Sequence, residues 1–342
     1  MSDRTAVLIP GDGIGPEISR AVLRVLDAAD AGIQWQEHLA GINALEKTGE
    51  LLPETTINAI KMHKVALKGP CTTPVGKGFS SVNVQLRKTF ELYAAVRPVR
   101  SIPSVKTRFD DVNLVIIREN TEGLYSGVEN EVTPGVVMSM KVATEQGCTR
   151  IARWSSRYAT LRRRQKITVF HKANIMKLTD GMFLRAAQRI HDREYPNIEF
   201  ESAIIDAGCM RLVQDPSQFD ILLLENLYGD VVSDLCAGLV GGLGVIPGAN
   251  FGEGEAIFEA VHGSAPDIAG KGVANPLALL MSAVMMLEHL ADAEGNDRAG
   301  RAATRVTDAY RAALADGART RDLGGELDTQ GFADAVIERL GA

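Results

Sequence analysis

Cysteine is scarce and scattered in this 342-residue chain. Cys71, Cys148, Cys209 and Cys236 include no CxxC pair, which argues against a structural zinc site or disulfide scaffold and fits reduced thiols. Positive charge is not in excess either: 37 Lys and Arg stand against 43 Asp and Glu, so a nucleic-acid footprint is missing. The one basic run, Arg162-Arg163-Arg164, reads as a solvated loop or helix edge. No apolar run is long enough to cross a bilayer. The strongest, 277–290, is short, and Glu288 and His289 interrupt its end, so it reads as a core helix. Internal repeats and low-complexity linkers are absent. The first strand-like run, 5–9, follows almost directly on the N-terminus, so a cytoplasmic protein without a secretory or transit segment is expected.

What is present is alternation. Hydrophobic residues make up 45% of the chain, enough for a large core, and the length suits about two domains. Strand-like runs at 5–9, 65–68, 114–117, 167–170 and 221–224 alternate with helical stretches such as 16–29 and 177–191, which predicts an α/β fold. GDGIGP at 11–16 follows a strand and opens a helix, as a dinucleotide fingerprint does. Its third glycine comes one residue early, however, and no strand ending in an acid stands at the required distance. It is read as a tight strand-to-helix turn, not a Rossmann site.

Two stretches carry chemistry. In 72–98, TTPVGKGFSSVNVQLRKTFELYAAVRP, a Pro/Gly-rich turn leads into Ser81, Asn83 and Arg87, with Arg97 ten residues on. Asn83 and Arg87 share a helix face, and Ser81 precedes them where a helix N-terminus offers free N–H groups. Hydroxyl, amide and guanidinium groups together suit a substrate with several carboxylates, because a guanidinium pairs bidentately with each. In 225–234, ENLYGDVVSD, a buried strand is followed by Asp230 and Asp234 one turn apart at the start of a helix. Such a pair repels unless a cation lies between, and hard oxygen ligands suit Mg²⁺ or Mn²⁺.

These stretches resemble the β-decarboxylating dehydrogenases, the family of isocitrate, isopropylmalate and homoisocitrate dehydrogenases. The resemblance runs through GDGIGPE at 11–17, RENTEGLYSG at 118–127, HKANIMKLTDG at 171–181, IDAGCM at 205–210, NLYGDVVSDL at 226–235, GANFG at 248–252 and HGSAPDIAGKGVANP at 262–276. It implies an isopropylmalate dehydrogenase-like α/β fold of two domains with the active site in the cleft between them. Residues 1–98 and 241–342 would form the large domain and 99–240 the small one, with an intersubunit arm at about 126–145.

The same resemblance assigns roles. Thr73, Ser81, Asn83, Arg87, Arg97 and Arg118 would bind substrate, Lys172 would take a proton and Tyr125 would return one. Asp230 and Asp234, with Asp206 of the partner subunit, would hold Mg²⁺ or Mn²⁺. His262, Gly263, Ser264, Ala265, Asp267, Ile268 and Asn275 would hold the adenosine half of NAD. Asn275 would read the adenine edge. Asp267 repels the 2′-phosphate of NADP, whose specific users carry lysine and tyrosine in place of Asp267 and Ile268. The Ser-x-Asn pair favours isocitrate, with homoisocitrate second and isopropylmalate third. A homodimer with shared active sites, or a larger assembly of it, is the expected state, and a non-catalytic regulatory chain of a hetero-oligomer is the alternative. Lys77, Ala207-Gly208 and Arg211 depart from the commoner family pattern.

Overall fold

The computed structural model describes residues 3–72 and 81–341; Thr73 and Lys77 lie outside them. The chain begins with β1 (Arg4–Ile9), α1 (Gly15–Ala28), β2 (Ile33–Glu37), α2 (Ile42–Thr48), α3 (Glu54–His63), β3 (Val65–Lys68) and α4 (Val82–Thr89). Next come β4 (Ala94–Arg100), β5 (Asn113–Glu119), β6 (Gly123–Thr133), β7 (Val136–Val142), α5 (Glu145–Leu161), β8 (Lys166–His171) and α6 (Thr179–Glu194). They are followed by β9 (Glu199–Ile204), α7 (Ile205–Gln214), β10 (Ile221–Leu224) and α8 (Asn226–Val240). The chain closes with β11 (Pro247–Phe251), β12 (Ala256–Ala260), α9 (Leu277–Glu294), α10 (Asp297–Ala315) and α11 (Thr329–Ile337).

These elements form two compact units: Met1–Phe90 with Ile102–Asp110 and Val240–Ala342, and Glu91–Ser101 with Asp111–Leu239. The expected boundary at 98 is corrected. Strand β4 pairs antiparallel with β5 from Ala94 opposite Glu119 to Arg100 opposite Asn113, and this ladder carries 91–98 into the second unit. Residues 102–110 return to the first, where the Ser104 carbonyl accepts a hydrogen bond from Arg319 at 2.5 Å.

In the first unit the strand order is β2-β1-β3-β12-β11, parallel as far as β12 and antiparallel at β11. Every residue of β3 is buried, and Val65, Ala66 and Leu67 form the apolar run that a strand covered on both faces should show. Helix α9 packs on β3, β11 and β12 through Leu277, Leu279, Leu280, Leu287 and Leu290, the core helix that its composition predicts. The glycine turn after β1 is a junction. Asp12 accepts the N–H groups of Ile42, Asn43 and Thr72 at 3.0, 2.9 and 2.7 Å. Gly13 has φ +59, and a Cβ there would lie 2.0 Å from the Ser264 carbonyl oxygen.

This unit also buries an ion pair that no sequence motif announces. Lys68, 2% exposed, donates to Glu259 Oε2 at 2.6 Å, while Asn250 donates to Glu259 Oε1 at 2.8 Å. Burial alone pushes the Glu259 carboxyl up, but the charges of Lys68 and Arg87 outweigh it and hold it below the usual range. Glu259→Gln, which strands Lys68, is expected to cost about 3–5 kcal/mol at neutral pH. Because the folded carboxyl is held low, its stabilisation is present above about pH 4 and is lost as pH falls through the folded value. The gap between wild type and variant in denaturant unfolding should therefore close toward acid pH.

The second unit has the strand order β4-β5-β10-β8-β9, with β4 antiparallel and the rest parallel. Strand β10, Ile-Leu-Leu-Leu, is wholly buried. Helix α7 lies against β8 and β9, and Gly208 permits this because a Cβ would sit 2.5 Å from the Phe170 ring. Arg211 pairs with Glu201 at 2.8 Å and lies over the Phe219 ring, so this departure from the family pattern supports local packing. Strands β6 and β7 form a separate antiparallel hairpin whose Val132, Val136, Val137, Met138 and Met140 are exposed.

Candidate active site

The second unit builds a charged constellation around the front half of α8. Strand β5 ends by delivering Arg118, which is 1% exposed. Its Nε and Nη2 donate to Asn226 Oδ1 at 3.0 and 2.7 Å, and its Nη1 donates to Asp230 Oδ1. Gly229 makes room for this, since a Cβ would come 2.5 Å from Arg118 Cγ. Arg97, from β4, donates to Ser233 Oγ and lies 3.7 Å from Asp230 and 3.5 Å from Asp234. Tyr125, from β6, donates to Asp230 Oδ2 at 2.5 Å, with its ring 5.1 Å from the Arg118 guanidinium.

The electrostatics follow from this packing. Burial pushes the Asp230 carboxyl up, yet Arg118, Tyr125 and Arg97 together hold it below the ordinary range. Burial and the Asp230 charge push the Tyr125 phenol up, so it stays protonated at neutral pH. Asp230 and Asp234 do not open the helix, contrary to the expectation from sequence. The helix begins at Asn226, so both lie beyond its first turn, and its N-terminal N–H groups are taken by Glu225. Two carboxylates on one face, each beside a guanidinium, are a donor set that fits a hard divalent cation. Among the described residues, no group of three acidic, histidine or cysteine side chains within the chain forms a metal cluster.

A second cluster in the same unit holds Lys172 and Asp206, joined at 2.7 Å between Nζ and Oδ1. The Lys172 hydrogen bond holds the Asp206 carboxyl below its usual range. Lys172 follows β8, and its backbone N–H donates to Asp180 at 2.7 Å. Asp206 sits in the first turn of α7.

In the first unit, Ser81 stands at the N-cap of α4, but its side chain makes no capping bond. Asn83 Oδ1 is buried without a hydrogen-bond partner among the described residues. Arg87 lies on the same helix, close enough to add to the fields of Lys68 and Glu259. The loop at 262–276 is anchored on the glycine turn: Ser264 meets Thr72 Oγ1 at 2.5 Å, and its carbonyl accepts the Ile14 N–H. Burial pushes the His262 imidazole down, so the ring is neutral, and its Nε2 has no partner among the described residues. Ala265 adopts a left-handed conformation at φ +40, and Gly263, Asp267 and Ile268 are exposed beside it. Asn275 is tied to its surroundings on both sides. Its amide donates to Asp322 at 2.9 Å and accepts the Leu277 N–H at 2.9 Å, so it holds the loop and caps α9.

A family model described as isocitrate/isopropylmalate dehydrogenase matches residues 5–336. The chain belongs to the isocitrate/isopropylmalate dehydrogenase family. It is 49% identical over 338 residues to isocitrate dehydrogenase [NAD] catalytic subunit 5, mitochondrial, of Arabidopsis thaliana, covering 98% of this chain and 88% of that one. It is equally 49% identical to a mitochondrial regulatory subunit of isocitrate dehydrogenase [NAD] from Dictyostelium discoideum, covering 97% and 91%. The 3-isopropylmalate dehydrogenase, chloroplastic, of Solanum tuberosum is 50% identical over 313 residues, covering 91% and 85%. The crystal structure of isocitrate dehydrogenase from Methylococcus capsulatus matches with a TM-score of 0.92, 46% identity and full coverage of both chains. The isocitrate/isopropylmalate dehydrogenase fold is therefore established, and with it the class of β-decarboxylating dehydrogenases. The cytoplasmic expectation is corrected, because the NAD-linked relatives are mitochondrial by name.

Proposed function

We propose that this chain is a catalytic isocitrate dehydrogenase that uses NAD and a divalent metal ion. The observation that carries the reading is the constellation of Arg97, Arg118 and Tyr125 around Asp230 and Asp234. A regulatory chain would not need to keep this set together with the Lys172–Asp206 pair. Arg87, Arg97 and Arg118 clamp the substrate carboxylates, with Ser81 and Asn83 holding the one that distinguishes isocitrate. Asn83 can donate its amide N–H groups to that carboxylate, whereas an isopropyl group offers them no acceptor.

As its neutral amine, Lys172 accepts the hydroxyl proton, and Tyr125, oriented by Asp230, delivers a proton to the carbon left after CO₂ departs. Asp230, Asp234 and Asp206 of the partner subunit would hold Mg²⁺ or Mn²⁺. When bound, the ion supplies Lewis-acid polarisation of the substrate, and the nicotinamide supplies the hydride acceptor. His262, Gly263, Ser264, Ala265, Asp267 and Ile268 form the adenosine side, with Asp267 favouring NAD.

Both half-sites are flanked by exposed apolar residues. Ile175 and Leu178 follow Lys172 and are 68% and 82% exposed, Met210 follows Asp206, and Val231 adjoins Asp230. Patches of this kind, with the apolar β6–β7 hairpin, support a second copy of the chain as the cover. The half-site holding Lys172 and Asp206 then completes the partner's Asp230 site.

The test is formation of reduced nicotinamide by the purified chain with Mg²⁺ or Mn²⁺, offered isocitrate, homoisocitrate or 3-isopropylmalate with NAD or NADP. Isocitrate with NAD should be preferred by at least about tenfold. Preference for 3-isopropylmalate, the substrate named for the potato relative, would overturn the assignment. Silence with every pair would favour the regulatory reading, which the Dictyostelium relative represents.

A further inference from the structure

A charged knot in the second unit lies outside the proposed chemistry. Lys141, at the end of β7, places Nζ 2.5 Å from Asp180 Oδ1 and 3.5 Å from Glu225 Oε1, and 4.5 Å from the centre of the Tyr228 ring. Asp180, in the first turn of α6, is 2% exposed and uses its other oxygen to accept the Lys172 N–H at 2.7 Å. Glu225 is 8% exposed and accepts the N–H groups of Leu227 and Tyr228, so it caps the helix that carries Asp230. One ammonium group thus joins two buried carboxylates, each gripping the backbone beside one half-site.

We propose that Lys141 is a positioning residue: through Asp180 it fixes the main chain of Lys172, and through Glu225 it fixes the start of α8. The inference rests on Lys172 being the proton acceptor. The Lys172 side chain is held at its tip by Asp206 and at its root by Asp180. Without Lys141, two buried carboxylates face each other with no cation between them, and Asp180 must protonate or swing away. Either response weakens its grip on the Lys172 N–H, and the ε-amino group loses its fixed approach. A displacement of about 1 Å is enough to cost about a hundredfold in rate.

The experiment compares Lys141→Met, Lys141→Arg and a control, Arg211→Met, which breaks an ion pair of similar length in the same unit. Steady-state kinetics and hydrogen exchange at the Lys172 amide are read for each, using the full chain. For Lys141→Met, kcat should fall by about 10- to 100-fold with KM for substrate within about twofold, and the Lys172 amide should exchange at least about tenfold faster. Lys141→Arg should recover most of both, and Arg211→Met should change neither. Unchanged exchange overturns the inference, as does faster exchange with kcat intact. If wild type turns over none of the substrates, the functional reading fails, and exchange alone then decides whether Lys141 holds Lys172. If Lys141→Met does not fold, Asp180→Asn, which keeps the shape and removes the charge, is measured with the same criteria.

Discussion

Lys172→Met is expected to lower kcat by about a thousandfold while leaving the melting temperature nearly unchanged. General-base groups contribute about 10²- to 10⁴-fold, and methionine keeps the length and apolar stem of lysine while removing its basic nitrogen. The fold of the chain should tolerate the change because the ion pair it breaks lies outside the core: within one chain the Asp206 side chain is 69% accessible. Tyr125→Phe should act on the same reaction from the other side. It removes the phenol that donates to Asp230 and leaves the ring over Arg118. The two variants separate in their intermediates. Without Tyr125 the oxidation step continues and protonation after CO₂ loss slows, so reduced nicotinamide appears in a burst. Without Lys172 there is no burst. Stopped-flow absorbance with thermal melts of both variants checks each point. A Lys172→Met enzyme within tenfold of wild type would remove lysine from its assigned role.

The second large effect concerns the cofactor. Asp267→Lys combined with Ile268→Tyr is expected to shift the ratio of kcat/KM for NAD over NADP by roughly a hundredfold or more toward NADP. Both side chains are exposed on the loop that Ser264 anchors to Thr72 and the glycine turn, so the exchange alters charge without disturbing packing. On the proposed reading, a carboxylate that would accept ribose hydroxyls is replaced by a cation that would face the 2′-phosphate. Steady-state kinetics with both nucleotides at fixed isocitrate measures the ratio. If the ratio stays put, the ribose is held elsewhere.

The fold was legible where burial writes a simple pattern. The runs 65–68 and 221–224 are strands with those same limits, because a strand covered on both faces is mainly apolar, with Lys68 as the one exception in these two. The core helix from Leu277 announced itself in the same way. Boundaries set by tertiary pairing were not legible. Nothing local in 91–98 says that it pairs with 113–119, and the true start of α8 depended on Glu225 serving as its cap. The catalytic motifs singled out Arg97, Arg118, Tyr125 and Asp230, and the structure brings these four together. Their supports were hidden by distance along the chain. Lys141 meets Asp180 39 residues away, and Lys68 meets Glu259 from another strand, so no window of sequence shows either pair. The tie from Asn275 to Asp322 spans 47 residues and was hidden in the same way.

The central claim is that the two half-sites found in one chain complete each other across a dimer. It is tested most directly by a hybrid dimer in which one chain carries Lys172→Met and the other Asp230→Asn, purified by a different tag on each. Each parent homodimer should be nearly inactive. In the hybrid, one of the two sites receives intact Lys172 from one chain and intact Asp230 from the other, so about half of the wild-type rate per dimer should return. A hybrid no more active than its parents would mean that Lys172 and Asp230 serve the same site from within a single chain, and the account would be wrong.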